Sequence, residues 1–158
     1  MSHPYTAVLV DLDGTVMDSA PGITRTLAAV LEELGRLAPL AIATSKPESV
    51  ATRILDHFGF SPLFTVIAGA SDDESRSEKA DVITRALTLL TEHGADVRRP
   101  VMIGDRIHDV AGAAAHGIPT ITAGWGYGAP EEAAGAVAIA ETPEDLVHLV
   151  RAGAAERP

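Results

Sequence analysis

The 158-residue sequence contains no cysteine, so neither a disulfide nor a thiolate contributes to its fold or its chemistry. That absence fits a reducing compartment. No apolar run approaches the ~20 residues that span a bilayer, and no basic segment with an apolar core precedes the first apolar stretch. We therefore expect a cytoplasmic protein without a signal peptide and without a membrane partner.

Positive charge is also scarce, because 12 Lys and Arg face 22 Asp and Glu, giving a net charge of −10. Nucleic-acid binding depends on clustered Lys and Arg, so we expect no nucleic-acid partner. The six histidines show no metal-ligand spacing, and no Walker-type phosphate loop occurs. A hydrophobic content of 46% fits one globular domain over residues 1–158.

Short apolar runs alternate along the chain with segments of helical periodicity. The predicted strands cover residues 6–12, 40–44, 64–68, 101–104, 118–122 and 136–140. The predicted helices cover residues 23–34, 47–58, 78–93, 107–116 and 143–151. This alternation predicts an α/β fold, with a parallel sheet of five to six strands between helices on both faces. Ligands of such sheets bind at the carboxyl ends of the strands.

The first predicted strand ends in two aspartates and a glycine, Asp11, Asp13 and Gly14. Residues i and i+2 of a strand point to the same side, so both carboxylates can face one small volume. One aspartate can attack phosphorus to form an aspartyl-phosphate. The other can protonate the leaving oxygen and later activate water. The alternative is that these polar residues only cap a turn.

Hydroxyl groups follow the second predicted strand, at Thr44 and Ser45. A hydroxyl beside the N–H groups of a helix start forms an anion site, although either residue could simply be a helix cap. Lys46 could contact a phosphate or point to solvent. Farther along, Lys79 opens a helix after a polar loop and could supply a fixed cation, with Arg76 as the rival.

The fourth predicted strand delivers Asp105 to its end, and Asp109 follows on the first turn of the next helix. The i, i+4 spacing places both carboxylates on one helix face. Carboxylates are the protein ligands that Mg²⁺ prefers. The alternative is that Asp105 caps the helix and Asp109 interacts with its positive N-terminal dipole.

Together these motifs resemble the phosphatase branch of the haloacid dehalogenase superfamily, and the segments 18–22 and 125–128 resemble phosphoglycolate phosphatases. The resemblance implies a Rossmann-like core, Mg²⁺ as cofactor and a small phosphorylated metabolite as substrate. It implies three catalytic residues, which are Asp11 as nucleophile, Asp13 as general acid and base, and Lys79. The implied phosphate-binding residues are Thr44, Ser45 and Gly14. The implied metal ligands are Asp11, Asp13, Asp105 and Asp109.

Relatives of this type carry a helical cap domain between the first and second motifs, whereas only about thirty residues separate Asp13 from Thr44 here. The sequence predicts that the cap is missing between about 20 and 39. A natural capless phosphatase and a capped parent with its cap removed both fit, and the typical flanking sequence favours removal. We expect a phosphatase of broad or weak specificity. Two alternatives are a poorly active core that forms homo-oligomers or binds a protein, and a sugar phosphotransferase related to mutases.

Overall fold

Six parallel strands form the centre of the computed structural model, which describes residues 5–17, 23–73, 75–126 and 128–153. The strands are β1 (Ala7–Val10), β2 (Leu40–Pro47), β3 (Val66–Ala70), β4 (Pro100–Gly104), β5 (Thr120–Ala123) and β6 (Ala138–Ala140). The α-helices of the described ranges are α1 (Ile23–Leu37), α2 (Glu48–His57), α3 (Lys79–Glu92), α4 (Ile107–Ala114) and α5 (Pro143–Ala152). Short 3₁₀ turns occupy Ser61–Leu63 and Pro130–Ala133.

The strand order is β3-β2-β1-β4-β5-β6, with β1 between β2 and β4. Val8 of β1 pairs with Leu40 on one side and with Val101 on the other. The chain first builds the sheet outward through β2 and β3, and then crosses β1 to build the other half. The switch in direction falls between β1 and β4, and parallel sheets open a binding crevice at that point. The expected α/β fold class is confirmed.

Side-chain alternation along the strands creates a separate apolar core on each face of the sheet. Val8 and Val10 point to the core that α1, α2 and α5 cover. Ala7 and Leu9 point to the opposite core, beneath α3 and α4. Because both faces are covered, the strands are apolar at nearly every position, as expected for a buried parallel sheet. The three layers predicted from the sequence are therefore present.

Two predicted boundaries were wrong. Gly35 does not close α1, which continues to Leu37, because the buried apolar stripe of the helix includes Leu34 and reaches Ala38 before Pro39 stops it. The helix predicted to start at Pro47 starts one residue later, since Pro47 still pairs with β3. The remaining element ends shift by a few residues at most.

One helix, α1, is the connection between β1 and β2 in the described part of the chain. Residues 18–22, whose sequence suggested phosphoglycolate phosphatases, lie outside the described residues, as does Tyr127. Among the helices of the described ranges, none combines the length and the apolar character needed to cross a membrane.

Candidate active site

Three buried carboxylates from distant parts of the sequence meet at the carboxyl ends of β1 and β4. Asp11 follows β1, Asp105 follows β4, and Asp109 lies on the first turn of α4. One carboxylate oxygen from each lies within 4.8 Å of the other two. Asp11 is 7% exposed, and Asp105 and Asp109 are each 1% exposed. This convergence is the arrangement that a shared cation would require.

The start of α4 holds Asp109 in this cluster. Its Oδ2 accepts hydrogen bonds from the backbone N–H groups of Asp105 and Arg106, each at 3.1 Å. A Cβ atom at Gly104 would overlap with the Asp109 carboxylate, so only glycine lets the side chain fold back over the end of β4. The capping role considered for this turn therefore belongs to Asp109, and its other oxygen faces the cluster.

Lys79 provides a buried positive charge at the centre of the cluster. Its Nζ atom lies 2.8 Å from Asp11 Oδ1, 2.9 Å from Asp109 Oδ1 and 2.8 Å from the carbonyl oxygen of Ala43. Two of these contacts are hydrogen bonds, to Asp11 and to the Ala43 carbonyl, and the contact with Asp109 is an ion pair. Lys79 therefore orients the carboxylate of Asp11.

Burial raises the pKa of the Asp11 carboxyl group to about 7. The positive charge of Lys79 lowers this pKa, but the nearby charges of Asp109 and Asp105 raise it further. Burial alone would lower the pKa of Lys79, yet Asp11 and Asp109 outweigh that effect and the net pKa is raised. The protein without a bound ion therefore holds a proton at Asp11 up to near-neutral pH, while Lys79 stays charged.

Asp13 lies apart from the group formed by Asp11, Asp105 and Asp109. Its side chain is 49% exposed, and Oδ2 is 3.4 Å from the Nζ atom of Lys46. The structure thus places Lys46 beside the candidate general acid, which the sequence left undecided. An exposed carboxyl group at the mouth of the cleft is placed to exchange protons with water. A role for Asp13 as a metal ligand stays a prediction.

The end of β2 bulges into the cleft. Ala43 pairs with Ala68 and Pro47 pairs with Ala70, so four steps along β2 match only two along β3. The extra residues of β2 include Thr44, which is buried, and Ser45, which is exposed. The Oγ1 of Thr44 accepts the N–H of Lys46 at 3.1 Å. A bulge of this kind redirects side chains next to a site.

The cleft has a volume of about 220 Å³. Its lining includes seven of the eight predicted site residues, together with Lys46, Arg106 and His108. The seven are Asp11, Asp13, Thr44, Ser45, Lys79, Asp105 and Asp109. Gly14 is not part of this lining. Its φ of 78° suits the turn, and its N–H donates to the carbonyl of Met17 at 2.8 Å. Its role in phosphate binding stays a prediction.

The donor set of the cluster fits a hard divalent cation. Three carboxylates share the space with one ammonium, so full ionisation leaves two negative charges without compensation. At an effective dielectric near 20, two like charges 4 Å apart repel by about 4 kcal/mol. Mg²⁺ would offset this repulsion, and it binds oxygen ligands such as these. The resident ion would be held by Asp11, Asp105 and Asp109.

Several contacts that shape the cleft have no signal in the sequence. The Ala43 carbonyl completes the ring of acceptors around Lys79, and no residue type marks a carbonyl as functional. Arg76, considered as the rival cation, instead donates from Nε to the Gly69 carbonyl at 3.1 Å and lies outside the cleft. Gly104 carried a signal, since a glycine directly before an acidic strand end indicates a close approach.

The chain belongs to the haloacid dehalogenase-like hydrolase family, whose sequence profile matches residues 31–123. The resemblance on which the sequence interpretation rested is therefore confirmed.

Three similar proteins illustrate the range of the family. Tyrosine-protein kinase PtkA of Mycobacterium tuberculosis is 58% identical over 89 residues, which cover 56% of this chain and 30% of PtkA. A plasmid phosphoglycolate phosphatase of Cupriavidus necator is 30% identical over 142 residues, covering 89% of this chain and 59% of that protein. The crystal structure of a predicted phosphatase from Clostridium acetobutylicum superposes with a TM-score of 0.81 at 27% identity, covering 95% of this chain and 100% of the other.

Proposed function

We propose that this chain is a Mg²⁺-dependent phosphomonoester hydrolase that works through an aspartyl-phosphate on Asp11. The observation that carries the proposal is the buried cluster of Asp11, Asp105 and Asp109 around the Lys79 ammonium. Family membership and the similarity to a phosphoglycolate phosphatase support it. Because the chain spans only 30% and 59% of the two curated relatives compared above, their activities enter here as part of the proposal.

In the first step, a carboxylate oxygen of Asp11 attacks phosphorus while the bond between phosphorus and the ester oxygen breaks. Asp13 gives its proton to that ester oxygen, so the alcohol leaves neutral. Lys79 holds Asp11 Oδ1 at 2.8 Å, which fixes the rotation of the nucleophile before the substrate arrives. Thr44, buried at the bulge of β2, is placed to donate its hydroxyl to a phosphoryl oxygen.

In the second step, Asp13 takes a proton from water, and the water oxygen attacks phosphorus. The bond from phosphorus to Asp11 breaks, which releases inorganic phosphate and restores both aspartates. Asp13 suits both steps because its half-exposed carboxyl group can reach the leaving oxygen and then water. When bound, Mg²⁺ supplies positive charge against the repulsion between the phosphate and the carboxylates.

No element other than α1 separates β1 from β2 among the described residues, so we propose that this stretch carries no cap. Caps exclude water and contact the leaving group. Without one, the cleft holds the phosphoryl group but makes few contacts to the rest of the substrate. We therefore propose broad specificity among small phosphomonoesters.

The test measures phosphate release from a panel of small phosphomonoesters, with Mg²⁺ and with EDTA. We expect hydrolysis of several substrates with Mg²⁺ and none with EDTA, and a loss of at least about a thousandfold in kcat for Asp11→Asn. Asp81→Asn is the matched control, since Asp81 is an exposed residue of α3 and loses the same charge. Hydrolysis that survives in Asp11→Asn, or that ignores EDTA, would refute the proposal.

A second candidate is phosphoryl transfer to a tyrosine hydroxyl. The 58% identity to a protein named a tyrosine kinase favours it. The acceptor hydroxyl would replace water in the second step, with a nucleoside triphosphate as the phosphoryl donor. Phosphotyrosine formed on a protein substrate in the presence of ATP and Mg²⁺, with little free phosphate, would favour this candidate over hydrolysis.

A further inference from the structure

The loop between β5 and β6, residues 124–137, contains glycines that the proposed hydrolysis does not use. A Cβ atom added at Gly126 would overlap with the Cβ of Asp105 and lie 2.7 Å from its Oδ2. One added at Gly128 would overlap with the carbonyl oxygen of Asp105. The loop backbone therefore lies directly against Asp105. The position of the loop therefore limits the orientations that the Asp105 side chain can adopt.

Two side chains attach this loop to the active-site elements. The Nε1–H of Trp125 donates to the carbonyl oxygen of Thr15 at 3.0 Å, in the turn that follows the two aspartates of the first motif. Farther along, Glu132 contacts the start of α4. Its Oε1 accepts from Arg106 Nε at 2.9 Å and from the N–H of Ile107 at 3.2 Å. Its Oε2 accepts the N–H of Ala129 at 2.9 Å.

Glu132 completes a pattern at the start of α4. Asp109 accepts the backbone N–H groups of Asp105 and Arg106, and Glu132 accepts the next one, from Ile107. Ile107 is the first residue of α4, and its N–H has no partner within the helix, so Glu132 satisfies it and matches the helix dipole. Asp109 satisfies the two N–H groups directly before the helix. Three successive N–H groups that begin at Asp105 are thus fixed by two carboxylates. One of them belongs to the cation cluster and the other to the loop.

We propose that Glu132 is a positioning residue of the Mg²⁺ site: by holding the β5–β6 loop against the start of α4, it fixes the orientation of Asp105. This rests on the proposed function, which places Mg²⁺ at Asp11, Asp105 and Asp109. Groups that orient metal ligands typically change metal affinity by 10–100-fold when they are altered. Loss of the Glu132 contacts should therefore weaken Mg²⁺ binding without removing any ligand.

The experiment is titration calorimetry of Mg²⁺ into the unmodified protein, Glu132→Gln and Glu131→Gln. Glu131 is the matched control, because it is exposed, lies next to Glu132 in the same 3₁₀ turn and loses the same charge. We expect the Kd for Mg²⁺ to rise about tenfold in Glu132→Gln and to stay within twofold in Glu131→Gln. Turnover of Glu132→Gln should recover at high Mg²⁺, since no group that contacts substrate has changed.

A purely structural role for Glu132 would give a different result. The unfolding temperature of Glu132→Gln would fall, while its Kd for Mg²⁺ would equal that of the unmodified protein, and this outcome would overturn the proposal. An equal weakening in both variants would also overturn it, because the effect would then follow from net charge alone.

The variant Gly126→Ala tests whether the β5–β6 loop fixes the orientation of Asp105, by a change in the loop itself. The added methyl group meets the Asp105 side chain, so we expect weaker Mg²⁺ binding in this variant too. Unchanged affinity in both Gly126→Ala and Glu132→Gln would count against the inference alone and leave the hydrolase proposal standing. Failure of the unmodified protein to bind Mg²⁺ would overturn the metal assignment itself, and this proposal with it.

Discussion

Asp11 is a residue whose charge state depends on what shares its cavity. Burial, together with Asp109 and Asp105, raises its pKa to about 7 although Lys79 lies 2.8 Å away. In the protein without an ion, the neutral carboxyl group is therefore the favoured form below neutral pH. A bound divalent cation would favour the ionised form, which is also the nucleophilic one. In the proposed mechanism, cation binding and activation of the nucleophile are in this way coupled at one side chain.

This coupling predicts that Asp11→Asn stabilises the metal-free protein at alkaline pH. The folded state binds the Asp11 proton more tightly than the unfolded state, whose pKa is near 3.8, so stability falls as pH rises toward 7. Asn does not titrate and keeps the neutral shape. Melting in EDTA should show the advantage of Asp11→Asn growing from pH 5 to pH 7 and levelling off above it. At about 2–4 °C per kcal/mol, a rise of several degrees at pH 8 is expected.

A variant that melts below the unmodified protein in EDTA at pH 8 would show that the ion pair with Lys79 outweighs burial. The matched control is Asp81→Asn, whose exposed carboxylate should leave the pH dependence of the melting temperature unchanged.

The convergence of Asp11 and Asp105 could be predicted from the sequence, because the carboxyl ends of parallel strands share one edge of the sheet. The position of Lys79 at that edge was expected from the resemblance. The Ala43 carbonyl as one of its acceptors was not predictable, since Ala43 lies 36 residues away and offers only a backbone group. The contact of Glu132 with Arg106 was not predictable for the same reason, because 26 residues separate the two in the sequence. Contacts of this kind depend on loop paths that no local pattern records.

At the scale of elements, Glu48 joins three pieces of secondary structure. It opens α2, and its Oε1 accepts the N–H of Gly69 in β3 at 3.1 Å. Arg85 of α3 donates to both of its oxygens, at 2.6 and 3.0 Å. The hydrogen bond from Arg85 lowers the pKa of Glu48 despite its partial burial. This network fixes α2 directly behind the bulge that carries Thr44.

We predict that Glu48→Gln lowers stability at pH 7 and that the loss disappears in acid. A carboxyl group whose folded pKa is depressed stabilises the protein above its unfolded value of 4.5, and this contribution vanishes as pH falls through the folded value. Because Glu48 is only partly buried, solvent screening limits the effect to about 1 kcal/mol. Thermal melts of the variant and the unmodified protein should therefore differ by a few degrees at pH 7 and converge as the pH is lowered below 4.5.

Glu33→Gln on the exposed face of α1 serves as the control for loss of one negative charge. A constant difference between Glu48→Gln and the unmodified protein across this pH range would contradict the assigned role of the ionised carboxylate.

The type and order of the elements followed from hydrophobic periodicity, whereas two of their ends did not. Gly35 indicated a helix stop, yet the apolar stripe on α1 continues beyond it to Ala38. The residues from Thr44 to Pro47 suggested a helix start, but β3 keeps pairing with Pro47 across the bulge. In both places, tertiary packing outweighed a local signal. The bulge matters most, because it turns an ordinary strand end into the wall of the cleft.

At the scale of the whole molecule, the topology explains why one small cleft gathers so many charged groups. The sheet reverses its direction of growth between β1 and β4, and the connections on either side leave a gap above those two strands. Every residue of the proposed chemistry follows β1 or β4, lies in the bulge at the end of β2, or belongs to the first turn of a helix at the same edge. The sequence predicted a parallel sheet but not its strand order, which depends on the crossovers rather than on any one segment.

The central claim is that Asp11 is the nucleophile beside a cation that Asp105 helps to hold. Its most direct test is a crystal structure of the protein with Mg²⁺ and beryllium fluoride, which mimics a phosphoryl group on a carboxylate. The account predicts beryllium bonded to an oxygen of Asp11, with one Mg²⁺ ligated by both Asp11 and Asp105. A fluoride adduct on a different residue, or Mg²⁺ bound away from these two aspartates, would contradict it.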